Sequence, residues 1–478
     1  HNGMKKINLL FIVLSLVAVV NAQNKPATPQ LGKDSLKEVI KAMTLEDKIY
    51  MVMGLGEDTW KNPASGPKTV LLAGAAGRTW DIPRLGITPA VLTDGPAGLR
   101  IEPKQEGFSH PFYCTAFPTA TVLASTWNTP LVEEVGKAMG NEVLEYGSDV
   151  LLAPALNIQR NPLCGRNFEY YSEDPLIAGK MAAAMVVGLQ SNGVGTSVKH
   201  FAANNIETKR TTINAIVSQR ALREIYLRGF EIAVKEGNPW TVMSSYNRLN
   251  GFYTSQNPDL LTTILRKEWG FKGMVMSDWW GGDDAVAQMK AGNDLLEPGA
   301  TQREVLREAL KNKTLSEKTL DRNLMRILDF IQKTPHFKGY QPSYHPDLEA
   351  HAVIARKAAV EGMVLLKNEN STLPFKKVNK IALFGKTSYQ FMTGGTGSGE
   401  VNYDHAAALD EAFGTAKFQL SKTLTDRYRQ FIDSVRQHEK KENQKFAVDF
   451  APELNLTKDF IQSQVKNSDI AVITIGRQ

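Results

Sequence analysis

The chain has 478 residues, 42% hydrophobic and 22% charged, with 56 Lys and Arg against 50 Asp and Glu. That is globular composition, long enough for two or three domains. A formal charge of +6 is thin for this length, and without a dense basic run it argues against nucleic-acid binding.

Residues 1–22 read as an export signal. Lys5 and Lys6 precede the apolar run LLFIVLSLVAVV (9–20), and VNA before Gln23 resembles a cleavage site after Ala22. The run is too short for a bilayer, which takes about 20 residues. The expectation is an exported protein, periplasmic or extracellular, that is not an integral membrane protein, with Met4 as its start. Residues 23–35 follow as a polar leader linker.

From residue 36 the spacing is helical, with Thr44 and Asp47 as a capping pair. A recurring unit then begins, a short apolar strand ending in polar residues. Such strands are PAVLTDGP (89–96), DVLLAPALN (149–157), TSVKHFAANN (196–205), TVMSSYN (241–247), GMVMSDWW (273–280) and NDLLEPG (293–299). Helical patterns separate most of them, as in PLVEEVGKAMGNEVLEYG and ALREIYLRGFEIAVKEG. Strand–helix alternation argues for a parallel sheet. The fold expected over 36–334 is α/β, a (β/α)8 TIM-like barrel, with a doubly wound sheet as the competitor. Barrels carry their chemistry at the C-terminal ends of strands, where Asp94, Asn157, His200, Tyr246, Asp278 and Glu297 fall.

PHFKGYQPSYHPD reads as a linker, placed at 335–348. A second α/β unit is expected over 349–478, opening with a helical run through VLLKNE and holding strands NKIALFGK and SDIAVITIG. It is expected to be an incomplete α/β sandwich, because the sequence stops directly after a strand.

Several other motifs are weak signals. GKT at 385–387 lacks the glycine five residues earlier that a phosphate loop needs. The run GGTGSG by itself suits a surface turn. No GxSxG elbow occurs. Cys114 and Cys164 fit either one disulfide or two buried thiols, and no Cys/His spacing resembles a zinc site. Lys199 and His200 sit side by side on a strand. They face opposite ways unless the strand ends there. The aperiodic segment 157–175 carries Arg160, Arg166, Glu169, Glu173 and Asp174, and suits a loop that is part staple, part ligand contact. Of Trp279 and Trp280, one is expected to be packing. An indole beside a carboxylate also offers sugars an apolar platform.

Taken together, LTDGPAGLR, NPLCGRNFEYYSEDP, VKHFAANN, VMSSYNRLNG, GFKGMVMSDWWG, AGNDLLEPG, VLLKNENSTLP and GGTGSGEV resemble glycoside hydrolase family 3, the β-glucosidase-like group, in content and order. The resemblance implies a barrel followed by an α/β sandwich with the active site between them. It implies hydrolysis of β-glycosides with retention and no cofactor or metal. It puts the nucleophile at Asp278, and sugar-binding roles at Asp94, Arg100, Arg166, Lys199 and His200. Tyr246 stands near the nucleophile and Trp279 at the entrance. VKHFAANN differs from the KHFPGHG-like motif of the N-acetylglucosaminidase branch. The family's acid/base glutamate follows a strand ending in Gly-Arg, so the expectation is that it lies beyond Gln478 and that the chain is a C-terminally truncated fragment. Should the acid lie within the chain, Glu169, Glu173, Glu297 and Glu400 are the candidates. The substrate expected is a β-linked glucoside or oligosaccharide. Alternatives are a β-xylosidase, a non-catalytic carbohydrate-binding protein, and a lyase using Lys199 as a Schiff base. Oligomeric state is not legible.

Overall fold

The computed structural model describes residues 28–56, 70–299, 302–441 and 451–476. The expected export signal and residues 23–27 of the leader lie outside the described residues. No described helix is long and apolar enough to cross a membrane.

Two short helices, Leu36–Lys41 and Leu45–Met51, each begin with a capping box: Ser35 with Glu38, and Thr44 with Asp47. Each pair satisfies N–H groups that a helix start leaves bare. The strands follow. They are β1 (Leu55–Gly56), β2 (Gly77–Arg78), β3 (Val91–Asp94), β4 (Val150–Leu152), β5 (Gly195–Phe201), β6 (Asn214–Ala215), β7 (Thr241–Ser244), β8 (Arg248–Leu249), β9 (Phe252–Tyr253) and β10 (Met274–Met276). Seven of them form one sheet in the order β1-β2-β3-β4-β5-β7-β10, while β6, β8 and β9 make a small separate one.

From β3 to β10 the seven-stranded sheet is parallel. Its strands are near-continuously buried, which is why they read as apolar runs. The sheet closes through the NDLLEPG segment. Leu295 bridges Met276 and Leu296 bridges Met53, both in parallel. Asp294 seals this seam from inside. Its side chain is fully buried and accepts from the Val275 N–H at 2.9 Å, Arg266 at 2.6 Å and Arg326 at 2.8 Å.

The expectation of eight parallel strand–helix units needs correction at the start of the barrel. β1 and β2 pair antiparallel, and so do β2 and β3. A parallel return needs a crossover of a dozen or more residues, usually helical. The stretch between β2 and β3 is instead spent on a tight turn at Pro83–Leu85, so β3 comes straight back alongside β2.

Helices Thr129–Glu145 and Pro175–Gln190 pack side by side against the outer face of the sheet. The second buries ten of its residues and carries Asp174 as its cap. The helix Leu348–Glu361, expected to open the second unit, adds Ala355 and Ala358 to this same core. It also stops earlier than expected. A Cβ at Gly362 would lie 2.5 Å from the Val122 carbonyl oxygen, and Met363–Leu366 emerge as exposed irregular chain.

Three parallel strands, in the order β12-β11-β13, center the second unit: β11 (Lys380–Phe384), β12 (Gln419–Leu420) and β13 (Ile470–Ile473). Its core is separate, built on Ile381, Leu383, Leu424, Tyr428 and Ile432. Cys114 and Cys164 are both buried free thiols.

Candidate active site

The site assembles where the parallel strands end. β10 pairs in register with β7, and the ladder continues through Ser277 N–H to Leu295 and Asp278 N–H to the Ser244 carbonyl. A turn closed by Gly281 N–H to the Asp278 carbonyl at 2.8 Å then stops the strand. Asp278 is therefore the last residue of this strand whose N–H pairs with β7. Its Oδ1 accepts from the Trp279 N–H at 2.8 Å, while Oδ2 is buried without a hydrogen-bond partner among the described residues.

β5 delivers two side chains. Its pairing with β7 slips between Val198 and Phe201, and the Lys199–His200 peptide is cis. Lys199 Nζ stands 3.8 Å from Asp94 Oδ1, and His200 Nε2 stands 3.7 Å from Asp278 Oδ2. The adjacent pair thus serves one pocket rather than opposite faces. Asn157 locks the imidazole's backbone from both sides, donating to the His200 carbonyl and accepting its N–H, each at 2.8 Å. The Tyr170 hydroxyl lies 3.4 Å from His200 Nδ1.

Arg166 arrives on the 157–175 loop. Glu169 holds its Nε–H from a fully buried position. Of the other charges expected in a staple, Asp174 caps a helix, and Arg160 and Glu173 are exposed. Arg100 reaches the site through its own N–H, which donates to the Asp94 carbonyl at 2.9 Å.

Charge explains how these groups coexist. Burial pushes the Asp278 carboxyl above its usual pKa, while Arg166, Lys199, the Trp279 N–H and Tyr246 pull it back down. Asp94 is likewise raised by burial and opposed by Lys199, Arg100 and Arg166. His200 is driven well below its ordinary value by burial, and further by Arg166, Lys199 and Arg210. Two carboxylates, nearby cations and a neutral imidazole offer both hydrogen-bond donors and acceptors to a polyhydroxylated ligand.

Asp94, Arg100, Arg166, Lys199, His200, Tyr246 and Asp278 are brought together, with Trp279 adjoining. Sequence reasoning missed Arg210, whose guanidinium lies 4.5 Å above the Tyr246 ring. Nor did it single out Phe168. The Gly394–Gly399 loop of the second unit closes on that ring, and a Cβ at Gly395 would fall 2.0 Å from it. The only sequence signal was the density of glycine. Asn402 continues this docking, donating to the Ile101 carbonyl and accepting the Cys114 N–H.

The class is a barrel with carboxylates at its strand ends and a second α/β unit docked on the loops beside them. The Glycosyl hydrolase family 3 N terminal domain profile matches residues 101–330, and the C-terminal domain profile of the same family matches 363–478. The structure of beta-glucosidase 3B from Thermotoga neapolitana in complex with glucose superposes with a TM-score of 0.86 at 49% identity, over 93% of this chain and 63% of that one. Thermostable beta-glucosidase B of Acetivibrio thermocellus is 44% identical over 376 residues, 77% of this chain and 46% of the relative. An exo-alpha-(1->6)-L-arabinopyranosidase of Bifidobacterium longum is 41% identical over 339 residues, 70% of this chain and 42% of the relative. The chain belongs to glycosyl hydrolase family 3. It spans about half the length of the curated relatives it matches.

Proposed function

We propose that the protein is a retaining, exo-acting β-glycoside hydrolase, a β-glucosidase that releases glucose from the non-reducing ends of β-glucosides. The observation that carries this reading is the Asp278 carboxyl. It is buried where the β10 ladder ends, with Oδ1 bonded to the Trp279 N–H, Oδ2 without a hydrogen-bond partner among the described residues, and Arg166 and Lys199 favouring its charged form. In the first step Oδ2 attacks the anomeric carbon, the bond to the leaving oxygen breaks, and a general acid supplies its proton. Water then cleaves the glycosyl ester, so configuration is retained. Asp94, Arg100, Arg166, Lys199 and His200 hold the sugar's hydroxyls. With its pKa depressed, His200 acts as a neutral hydrogen-bonding group and not as a counter-ion to Asp278. Export to the periplasm or outside the cell is part of the proposal, from the apolar run at 9–20.

The test uses a dinitrophenyl 2-deoxy-2-fluoroglucoside. Its leaving group departs without protonation, so the experiment examines the nucleophile independently of the acid. A covalent fluoroglucosyl group mapped to the Asp278 peptide is expected. Label on another residue removes the assignment, and a chain that binds glucose but never accepts label is a binding protein. A panel of β-glucoside, β-xyloside and α-L-arabinopyranoside substrates ranks the sugars. Asp94→Ala is expected to lower turnover as well as affinity, because hydroxyl contacts tighten in the transition state.

A further inference from the structure

His200 stands between two partners. Its Nε2 faces Asp278 Oδ2 at 3.7 Å, and its Nδ1 faces the Tyr170 hydroxyl at 3.4 Å. All three side chains are buried, Tyr170 completely. With its pKa driven well below the ordinary value, the imidazole is neutral and carries one proton. Tyr170 keeps its own proton, because burial raises its pKa well above the usual phenol range. Two arrangements of these protons are open. In one, Nδ1–H donates to Tyr170, the hydroxyl donates to the Asn204 carbonyl at 3.4 Å, and Nε2 is bare. In the other, Nε2 carries the proton and the hydroxyl donates to a bare Nδ1.

The carboxylate decides between them. Ionised, it offers lone pairs only, and Oδ2 has no hydrogen-bond partner among the described residues. A bare Nε2 would set a second lone pair against it in a buried site, where such repulsion is poorly screened. An Nε2–H meets it with a positive edge instead. Nδ1 then needs a donor, and among the described residues the Tyr170 hydroxyl is its one hydrogen-bond partner. Backbone bonds hold the tyrosine in place. Its N–H donates to the Asn167 carbonyl at 3.2 Å, and its carbonyl accepts from Gln159 at 2.7 Å and Thr121 at 3.2 Å. We infer that Tyr170 is a positioning residue: its hydroxyl donates to His200 Nδ1 and so keeps the imidazole proton on Nε2, aimed into the pocket as a donor to a sugar hydroxyl. Which ring nitrogen is protonated is set by the bond that the other one makes. The inference rests on Asp278 being the ionised nucleophile.

The experiment reads the imidazole directly. In long-range proton–nitrogen spectra of protein carrying isotope-labelled histidine, a bare ring nitrogen and a protonated one resonate far apart. The chain has eight histidines, so the His200 signals are those missing in His200→Gln. In the wild type Nδ1 is expected to be bare and Nε2 protonated, unchanged across about pH 6 to 8, where a free imidazole would titrate. In Tyr170→Phe the Nδ1 resonance should move as it loses its donor. Labelling of Asp278 by the dinitrophenyl 2-deoxy-2-fluoroglucoside should slow about threefold to tenfold, the weight of one hydrogen bond. A wild-type proton on Nδ1 overturns the inference, whether or not the variant folds. So does a variant whose labelling slows while Nδ1 stays unmoved, which marks a structural role. A moved Nδ1 with an unchanged labelling rate also overturns it, because the bond then has no part in the reaction. If the wild type takes no label, the nucleophile reading fails and takes the positioning role with it, a result that the spectra distinguish from a misplaced proton.

Discussion

Asp278 and Glu297 are both buried carboxyls, but among the described residues only Asp278 has cations around it. Glu297 is 1% exposed, neither of its oxygens has a hydrogen-bond partner among the described residues, and burial alone pushes its pKa well above the usual carboxylate range. Its carboxyl lies where a Gly54 side chain would be, 2.0 Å from the ideal Cβ, so glycine at 54 is required. An acid whose pKa is raised on folding binds its proton more tightly in the folded state. Stability is then lost as pH climbs from about 4.5 toward the folded value. Glu297→Gln is expected to match the wild type near pH 4 and to be the more stable protein at neutral pH. Thermal unfolding across that range measures it, and a gap that stays constant would count against the account. Position was legible here, since both acids end apolar runs. Protonation was not, because it depends on Arg166 and Lys199 coming from other strands and loops.

Among the elements, the Gly-rich loop shows how a weak local signal becomes a specific contact. By itself the run suits a flexible turn. In the fold, Gly395 and Gly399 both face the Phe168 ring, two residues from Arg166. Gly395→Ala is expected to displace Phe168, costing about 1–3 kcal/mol as overpacking does, and to slow labelling of Asp278 as Arg166 loses its seat. Gly414→Ala is the control. It lies in the helix Leu409–Thr415 with open space around it, and should gain about 0.5–1 kcal/mol. If both variants keep wild-type labelling rates, the loop does not position the pocket.

Across the whole molecule, the chain after the barrel is tied down by histidine–carboxylate pairs. His336 reaches buried Asp149 at 3.0 Å, which also accepts the Val91 N–H of β3, and His351 reaches buried Glu142 at 2.8 Å. The bond to Asp149 raises the His336 pKa against the opposing effect of burial. A base with a raised folded value lends stability that is complete below about pH 6.5 and is lost as pH rises through the folded pKa. His336→Gln should therefore be less stable than the wild type at pH 6, with the difference shrinking toward pH 9. Parallel unfolding curves for the two proteins across that range would refute the linkage.

Much of this molecule could be read from local rules. Thr44 and Asp47 make a cap because only four residues are involved. Asp94, His200 and Asp278 fall at strand ends because an apolar run stops beside them. The strand–helix alternation announces a parallel sheet. Local rules fail where the partner is distant in sequence. The direction of β2 follows from how its connection to β3 is spent. Helix Leu348–Glu361 joined the barrel core because Ala355 and Ala358 fit against it, although its sequence suits either unit. Lys199 and His200 share a pocket through a slipped pairing with β7. The identical residues Trp279 and Trp280 separate into a half-buried ring and an exposed one because Gly56 and Gly77, more than two hundred residues upstream, leave a slot for only the first. Periodicity encodes which face is apolar, whereas the neighbor that covers it is chosen only when the whole chain packs.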